Sequence, residues 1–526
     1  MFSRLVDAAV AAIAPRAAVR RSVARQMLDR LGGRRGYAAA RHGNHVWDRF
    51  RSGNLSANSE LSGDLPTLRA RSRTLYQDTA TAHAAVEAMV ALIVGTGIDI
   101  EPQSGIPEAD RRLHDVWLQW AERPTACGGM TLWELELQAV RSMALNGEAL
   151  FQIVHLPDAT RPIPFALHPI ESDQLALDPV ADIPAGHRFA AGVEVDAFMR
   201  PVAYHVLNAH PGDTSARGYQ VGVNGSTLHP GNSVTADASA PGGRGGNGRR
   251  IPADQIIHVY KRLRPGQTRG VPWLAPVMGT LHQEAQLVES ELTSAKLGAS
   301  LSLFIAMEGG LGHQAMASGE DGSDGQMPVR RFEPGSIIEG APGESATVIQ
   351  NGRPSQQISP FRQMLRGDIA AALGIRQTDL DRDYSRANYS SMRAAQLDLA
   401  RTIKPLQDAI GAQFIGQVYL RALPQLAVSA DVVLPRDQAA MRRVSRYQLM
   451  PDGFAYVDPE KDVKAAILAI RSGLSTWKDE LGQRGKEGRQ VHQQLLVELR
   501  DPLLARIHAD APPAPVQPAQ EAVHAA

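Results

Sequence analysis

The chain has 526 residues, with 55 Lys and Arg against 55 Asp and Glu, too long for one compact core and too apolar to be disordered throughout. A net charge near zero excludes a protein that grips nucleic acid by overall basicity. The single cysteine, Cys127, excludes an intrachain disulfide and a multi-thiolate metal site, and no apolar run is long enough to cross a membrane as a helix.

Charge is unevenly placed. The first 73 residues carry a run of arginines (Arg16, Arg20, Arg21, Arg25, Arg30, Arg34, Arg35 and others) against few acids. A GC-rich coding sequence explains such a bias; a phosphate- or partner-facing arm is the sharper reading. The apolar patch from Ala8 to Ala14 reads as one side of an amphipathic helix, because Asp7 interrupts the basic start expected of an export signal.

The first strong helical period lies between Asp78 and Ile93, on Ala82, Val86, Met89 and Ile93, and ends at Gly95 and Gly97. A short strand at Ile98 to Ile100 follows, then a helix through Leu113, Trp117 and Trp120. Thr131 with Glu134 three residues later forms a capping box for a third helix, which breaks at Asn146 and Gly147. Strands are predicted at Ala149 to His155, Ile163 to His168, Val202 to Leu207 and Ile256 to Tyr260. Residues 208–250 are rich in Gly, Ser, Asn and Pro. The GGRGGNG run there lacks the strand, the Lys-Ser/Thr ending and the helix of a phosphate-cradling loop.

From Leu274 the apolar residues Met278, Leu281, Ala285, Val288, Leu292, Ala295 and Ala299 step by fours and threes. About 25 helical residues span roughly 38 Å. With Gln283, Glu284, Glu289 and Glu291 on the other faces, so narrow a seam fits a helix lying between neighbours. Short strands are predicted at Leu301 to Met307, Ser336 to Ile338 and Ala346 to Ile349, around a Gly/Ser/Asp insert at 309–324. A helix capped by Ser359 carries Phe361, Leu365, Ile369 and Leu373 to Gly374. A polar loop, 376–388, precedes a long helix from about Ser391 to Leu423 that Pro405 must kink or divide. Two C-terminal helices are expected at Pro459 to Ser472 and Ser475 to Arg500, and the Ala/Pro-rich end is expected to be disordered.

The sequence contains no Walker A, HExxH or G-x-S-x-G string and no Cys/His cluster of metal spacing. His258, between Ile257 and Val259, reads as a structural residue of a strand. Asp381 and Asp383 flank Arg382 in a polar loop, where a solvated turn competes with a divalent-ion site. No nucleophile, base and orienter come together, so no enzyme, cofactor or metal is expected.

Several short strings, taken in order, resemble the lambda-type family of phage portal proteins. They are Leu68-Arg69-Ala70-Arg71-Ser72-Arg73, Val94-Gly95-Thr96-Gly97-Ile98, Asn146-Gly147-Glu148-Ala149, Ile170-Glu171-Ser172-Asp173 and Ile256-Ile257-His258-Val259. Arg264-Pro265-Gly266-Gln267-Thr268-Arg269-Gly270, Asn388-Tyr389-Ser390-Ser391 and Val457-Asp458-Pro459-Glu460-Lys461 extend the series over roughly residues 37–500. Loop 208–250 and the insert at 309–328 depart from the pattern.

The resemblance implies an α+β, mainly helical portal fold that assembles as a ring, commonly twelve-fold, around an axial channel. It implies a basic arm at 1–59, a wing at 60–273, stem helices at 274–298 and 358–374, and a clip at 299–357. A channel loop at 375–390, a kinked helix returning to the wing at 391–440, crown-like helices at 441–505 and a tail at 506–526 complete the plan. Arg376, Arg382, Arg386 and Arg393 become candidates to face DNA. Leu281, Ala285, Val288, Leu292 and Ala295 become candidates to pack subunits. Implied partners are further copies, sliding double-stranded DNA, the terminase large subunit, capsid or scaffold protein and a head-tail connector, with no membrane. The implied location is the virion's portal vertex, after assembly in the bacterial cytoplasm. The alternatives are another ring-forming head-tail adaptor and, in a different class, a nucleic-acid enzyme.

Overall fold

The computed structural model describes residues 54–212, 248–299, 303–307, 344–348, 357–385, 387–453, 458–482, 484 and 488–500. The chain divides into Met1–Ser56 and Ala57–Ala526, and every element below belongs to the second unit. The expected N-terminal helix, the Gly-rich run, the insert at 309–324, the strand at 336–338 and the C-terminal tail lie outside the described residues.

Helix α1 (Ala57–Asp78) precedes the first helix expected from periodicity. Pro66 and a weak apolar stripe hide it in the sequence, but Leu61, Leu65 and Leu75 are buried. Helix α2 (Ala80–Val94) is buried on most of its surface, and Gly95 caps it. β1 (Asp99–Pro102), α3 (Pro107–Ala121) and α4 (Leu132–Asn146) follow. The capping box forms as expected, with the Glu134 N–H donating to the Thr131 hydroxyl and the Thr131 N–H to the Glu134 carboxylate. β2 (Glu148–His155), β3 (Phe165–Ile170), β4 (Arg188–Ala190), β5 (Val193–Val195), β6 (Pro201–Leu207), β7 (Gly248–Pro252) and β8 (Ile256–Tyr260) form two antiparallel sheets, ordered β3-β2-β8 and β4-β5-β6-β7. The short strands β4 and β5 carry too few residues to show a period.

Helix α5 (Met278–Ala299) starts later than its periodicity suggests, because residues 273–277 are turns. β9 (Leu303–Met307) pairs antiparallel with β10 (Glu344–Val348). Helix α6 (Ile358–Leu373) is capped by Gln357, so Ser359 lies inside its first turn rather than at the cap. Gly374 ends it at φ 72°, a left-handed backbone that favours glycine. The polar loop contains a short helix, α7 (Gln377–Asp381).

The long helix differs most from expectation. It runs unbroken through Pro405 as α8 (Tyr389–Gln413), divides at Phe414, and continues as α9 (Ile415–Ser429), which holds Pro424. One missing N–H is tolerated in a helix of 25 residues whose other side is buried on Leu399, Ile403 and Ile410. The break comes where the Phe414 ring stacks on Phe151 of β2, centroids 4.4 Å apart, deep in the core. After α10 (Gln438–Val444), strand β11 (Tyr447–Met450) returns to pair with β1, joining residues far apart in the chain. The C-terminal segment is then α11 (Pro459–Arg471), α12 (Trp477–Gly482) and α13 (Gly488–Glu498). The main core gathers α2, α3, α4, α9 and one face of β2 around Trp117, Trp120, Phe165 and Tyr419. A second core lies under the four-stranded sheet, on Val193, Val195, Tyr204, Val206 and Ile251.

Glu136 of α4 is buried in the main layer and accepts the Ile98 N–H at 2.8 Å. Burial, against the pull of that N–H and with Asp99 adding to it, pushes its carboxyl up to about 8 from the ordinary 4.5. The folded state therefore keeps a proton that the unfolded chain releases. Stability from this group is full below pH 4.5 and declines as pH rises to about 8. Glu136→Gln keeps the acceptor without the titration, so it should add about 4 kcal/mol near pH 7.5 and nothing at pH 4. Urea unfolding at both pH values reads this directly; equal curves at pH 7.5 would refute it.

Candidate functional site

Five of the family-like strings meet at one buried carboxylate. Glu148, at the start of β2, is fully buried and sits between two arginines from opposite parts of the chain. Arg69 of α1 donates to Oε1 at 2.6 Å, and Arg269 at 2.7 Å. The Gly270 N–H and the ring of His258 reach Oε2 at 2.9 and 3.1 Å. Both guanidinium groups also donate to the Ser172 carbonyl, each at 3.0 Å, and Arg69 reaches Asp173 at 3.1 Å. Arg73 adds an ion pair to Asp173 at 2.5 Å. Burial opposes the charge on Glu148, but Arg269 and Arg69, helped by His258, hold its carboxyl well below the usual range. Burial likewise lowers His258, against the carboxylate's pull, so the imidazole is a neutral donor.

Backbone packing at this point is equally tight. Gly147, at φ 90°, lies against the 270–271 peptide, and a Cβ on Gly270 would fall 1.9 Å from the Gly147 carbonyl oxygen. Only glycine fits. Each acceptor position of Glu148 is taken by a protein donor, so the cluster works as a staple between α1, α4, β2, β8 and the 264–270 loop. It offers no open position for a substrate or ion.

The seam residues on α5 divide into two groups. Leu281 is 1% exposed and belongs to the chain's own core, which removes it from any surface open to another copy. Glu284, expected on an outer polar face, is buried between Arg362 and Arg366 of α6, at 3.2 and 3.0 Å, because α6 packs on that side. Beyond it, Ala285, Val288 and Ala295 are half-buried and Leu292 is 57% exposed. Phe361 and Met364 of α6 are also exposed.

The three described candidate arginines, Arg376, Arg382 and Arg393, differ in their surroundings. Arg376 precedes α7, its guanidinium held on Asp379 at 2.7 Å. Arg393 of α8 pairs with Asp462 of α11 at 3.0 Å. Arg386 lies outside the described residues. Arg382 is exposed, at φ 53°, with no carboxylate partner among the described residues. Asp381 accepts from Gln377 and from the Asp383 N–H, as a turn does. Glu171, Asp173 and His210 place ligand atoms within 4.8 Å of one another, but Arg73 and Arg69 already neutralise Asp173 and would repel a cation.

Sequence reasoning did not single out Glu148 or Asp462 as structural partners. An acid opening an otherwise apolar strand was the available signal for the first. The second has only an ordinary helix pattern around it.

A family model described as "Phage portal protein, lambda family" matches residues 44–407. The probable portal protein of Halomonas phage phiHAP-1 is 26% identical over 375 residues, covering 70% of this chain and 65% of that protein. Portal protein B of Escherichia phage lambda is 26% identical over 289 residues, covering 51% of this chain and 54% of its own length. The chain thus spans less than two-thirds of these relatives. Among solved structures, a chain of the neck of a native GTA particle computed with C12 symmetry is similar at TM-score 0.42 and 15% identity, covering 80% of this chain and 92% of that one. An HK97 family phage portal protein from Corynebacterium diphtheriae gives TM-score 0.34 at 11% identity, covering 68% and 96% of the two chains.

Proposed function

The chain belongs to the lambda family of phage portal proteins, and from that premise we propose that its copies close into a ring at one capsid vertex. The ring's bore would pass double-stranded DNA during packaging and ejection. It would dock the terminase large subunit and afterwards the head-tail connector, within a shell of capsid or scaffold protein. In this reading the work is mechanical and the chain makes or breaks no covalent bond. Assembly takes place in the bacterial cytoplasm and the product resides in the virion.

The observation that carries the reading, beside the family match, is the set of large apolar side chains left exposed on α5 and α6. Leu292, Phe361 and Met364 are exposed on two helices already tied together through Glu284. A ring repeats one heterologous contact around its axis, and exposed apolar side chains such as these would contribute to one side of it. In this proposal α5 and α6 form the stem and 299–357 the clip, residues 60–273 with 391–440 the wing, and the C-terminal helices the crown.

Sliding requires weak, sequence-independent phosphate contacts rather than a strongly basic wall. The near-zero net charge and the pairing of Arg376 and Arg393 with carboxylates support that. Arg382, exposed and unpaired, becomes the leading DNA-facing candidate of the described residues. Arg382→Ala should shorten the packaged DNA when the variant is the sole source of the protein, while rings still form. Pulsed-field gels of DNA from purified heads measure this, and unchanged length rejects the contact.

A further inference from the structure

Arg393 is committed to the C-terminal segment rather than to a free face, and its neighbours share that commitment. The Tyr389 hydroxyl donates to Asp458 at 3.3 Å, and Arg393 donates to Asp462 at 3.0 Å and to the Tyr389 oxygen at 3.3 Å. Lys461 lies 5.5 Å from the centre of the Tyr389 ring while its ammonium pairs with Asp458 at 2.8 Å. Tyr389 and Arg393 are one turn apart at the start of α8. Asp458 and Asp462 are one turn apart at the start of α11.

None of the residues of α11 is buried. Among the described residues, its side-chain hydrogen bonds to other elements all go to Tyr389 and Arg393. A helix held by half-exposed polar contacts, with no buried apolar face, is docked reversibly. Its dock is the first turn of α8, directly after the polar segment that follows α7. That segment has an upstream anchor in the Arg376–Asp379 pair. Within it, the N–H groups of Asp383, Ser385, Ala387 and Asn388 donate to the Asp381 carboxylate, the Asp383 carboxylate, the Tyr384 carbonyl and the Ser391 hydroxyl.

We propose that the Tyr389–Arg393 and Asp458–Asp462 contact is a releasable latch through which α11 sets the position and order of residues 382–385, 387 and 388. With the latch closed, the first turn of α8 is fixed and the segment is held at both ends. With it open, the downstream end is freed. The proposal does not rest on the channel reading, since it concerns the segment's order and not what it faces.

Hydrogen exchange of the full-length protein, read by mass spectrometry on peptides from this segment, tests it. Arg393→Asp and Asp462→Arg should each speed exchange there roughly fivefold, about what an exposed ion pair can supply. The double variant, with the charges exchanged, should restore the slow rate. Peptides of α4, which has no side-chain hydrogen bond to Tyr389, Arg393, Asp458 or Asp462 among the described residues, serve as the folding control and should not change. Unchanged exchange in the single variants, or fast exchange that the double variant fails to restore, would overturn the latch.

Discussion

Glu148→Ala should lower the melting temperature by about 3–5 °C or leave the protein insoluble, the largest stability loss expected of any single substitution outside the aromatic core. The substitution leaves Arg69 and Arg269 facing each other in a buried space, and it strips the Gly270 N–H and His258 of their acceptor. Breaking a buried pair by removing one partner costs about 3–5 kcal/mol, and in a chain of this size each kcal/mol moves the midpoint by about 1 °C. Glu148→Gln keeps the shape and some hydrogen bonds but not the charge, and should fall between. The same carboxylate gives a pH signature. Its folded value lies below the ordinary 4.5, so its contribution is present above that pH and is lost as pH falls further. Scanning calorimetry at one protein concentration, at pH 7 and about pH 3, measures both effects. A Glu148→Ala midpoint within about 1 °C of the parent at pH 7 would show that the cluster does not hold these elements together.

That cluster also shows how much the sequence discloses. The strings around Arg69, Asn146 to Ala149, Ser172, His258 and Arg269 were visible as separate fragments with a family resemblance. Their meeting at one carboxylate depends on the pairing of β2 with β3 and β8, and long-range pairing has no local period to reveal it. Elements fixed by local chemistry were legible: the Thr131 capping box, the Gly374 stop and the α2 period. Elements fixed by tertiary packing were not. Pro405 looked like the place where the long helix must yield, yet the division follows Phe414, which the core draws onto Phe151. The α5 seam was correct as a helical stripe, but the stripe cannot say which of its residues its own chain covers. Burial answers that, assigning Leu281 to the chain's core and leaving Leu292 outside. Among the four arginines, the Arg376–Asp379 pair is local, three residues apart, but sequence spacing could not foresee that Arg393 finds an acid, because Asp462 comes from a segment 69 residues away.

Leu292→Asp is expected to be the most damaging substitution for assembly while sparing the fold. The side chain is 57% exposed in the single chain, so a carboxylate there costs the isolated subunit little. Within a repeated contact the same carboxylate would be desolvated once at every interface, and the penalty multiplies around a ring. The melting temperature of the monomeric fraction should stay close to the parent's, whereas the oligomer should disappear or change size. Leu292→Met, similar in volume and apolar, should leave assembly intact.

The most direct measurement is negative-stain electron microscopy of the purified parent protein beside Leu292→Asp, with mass photometry on the same samples. The account predicts end-on views of closed rings with a central hole wide enough for a double helix in the parent, and dispersed subunits or aberrant rings in the variant. Solitary particles without a hole in the parent preparation would contradict it.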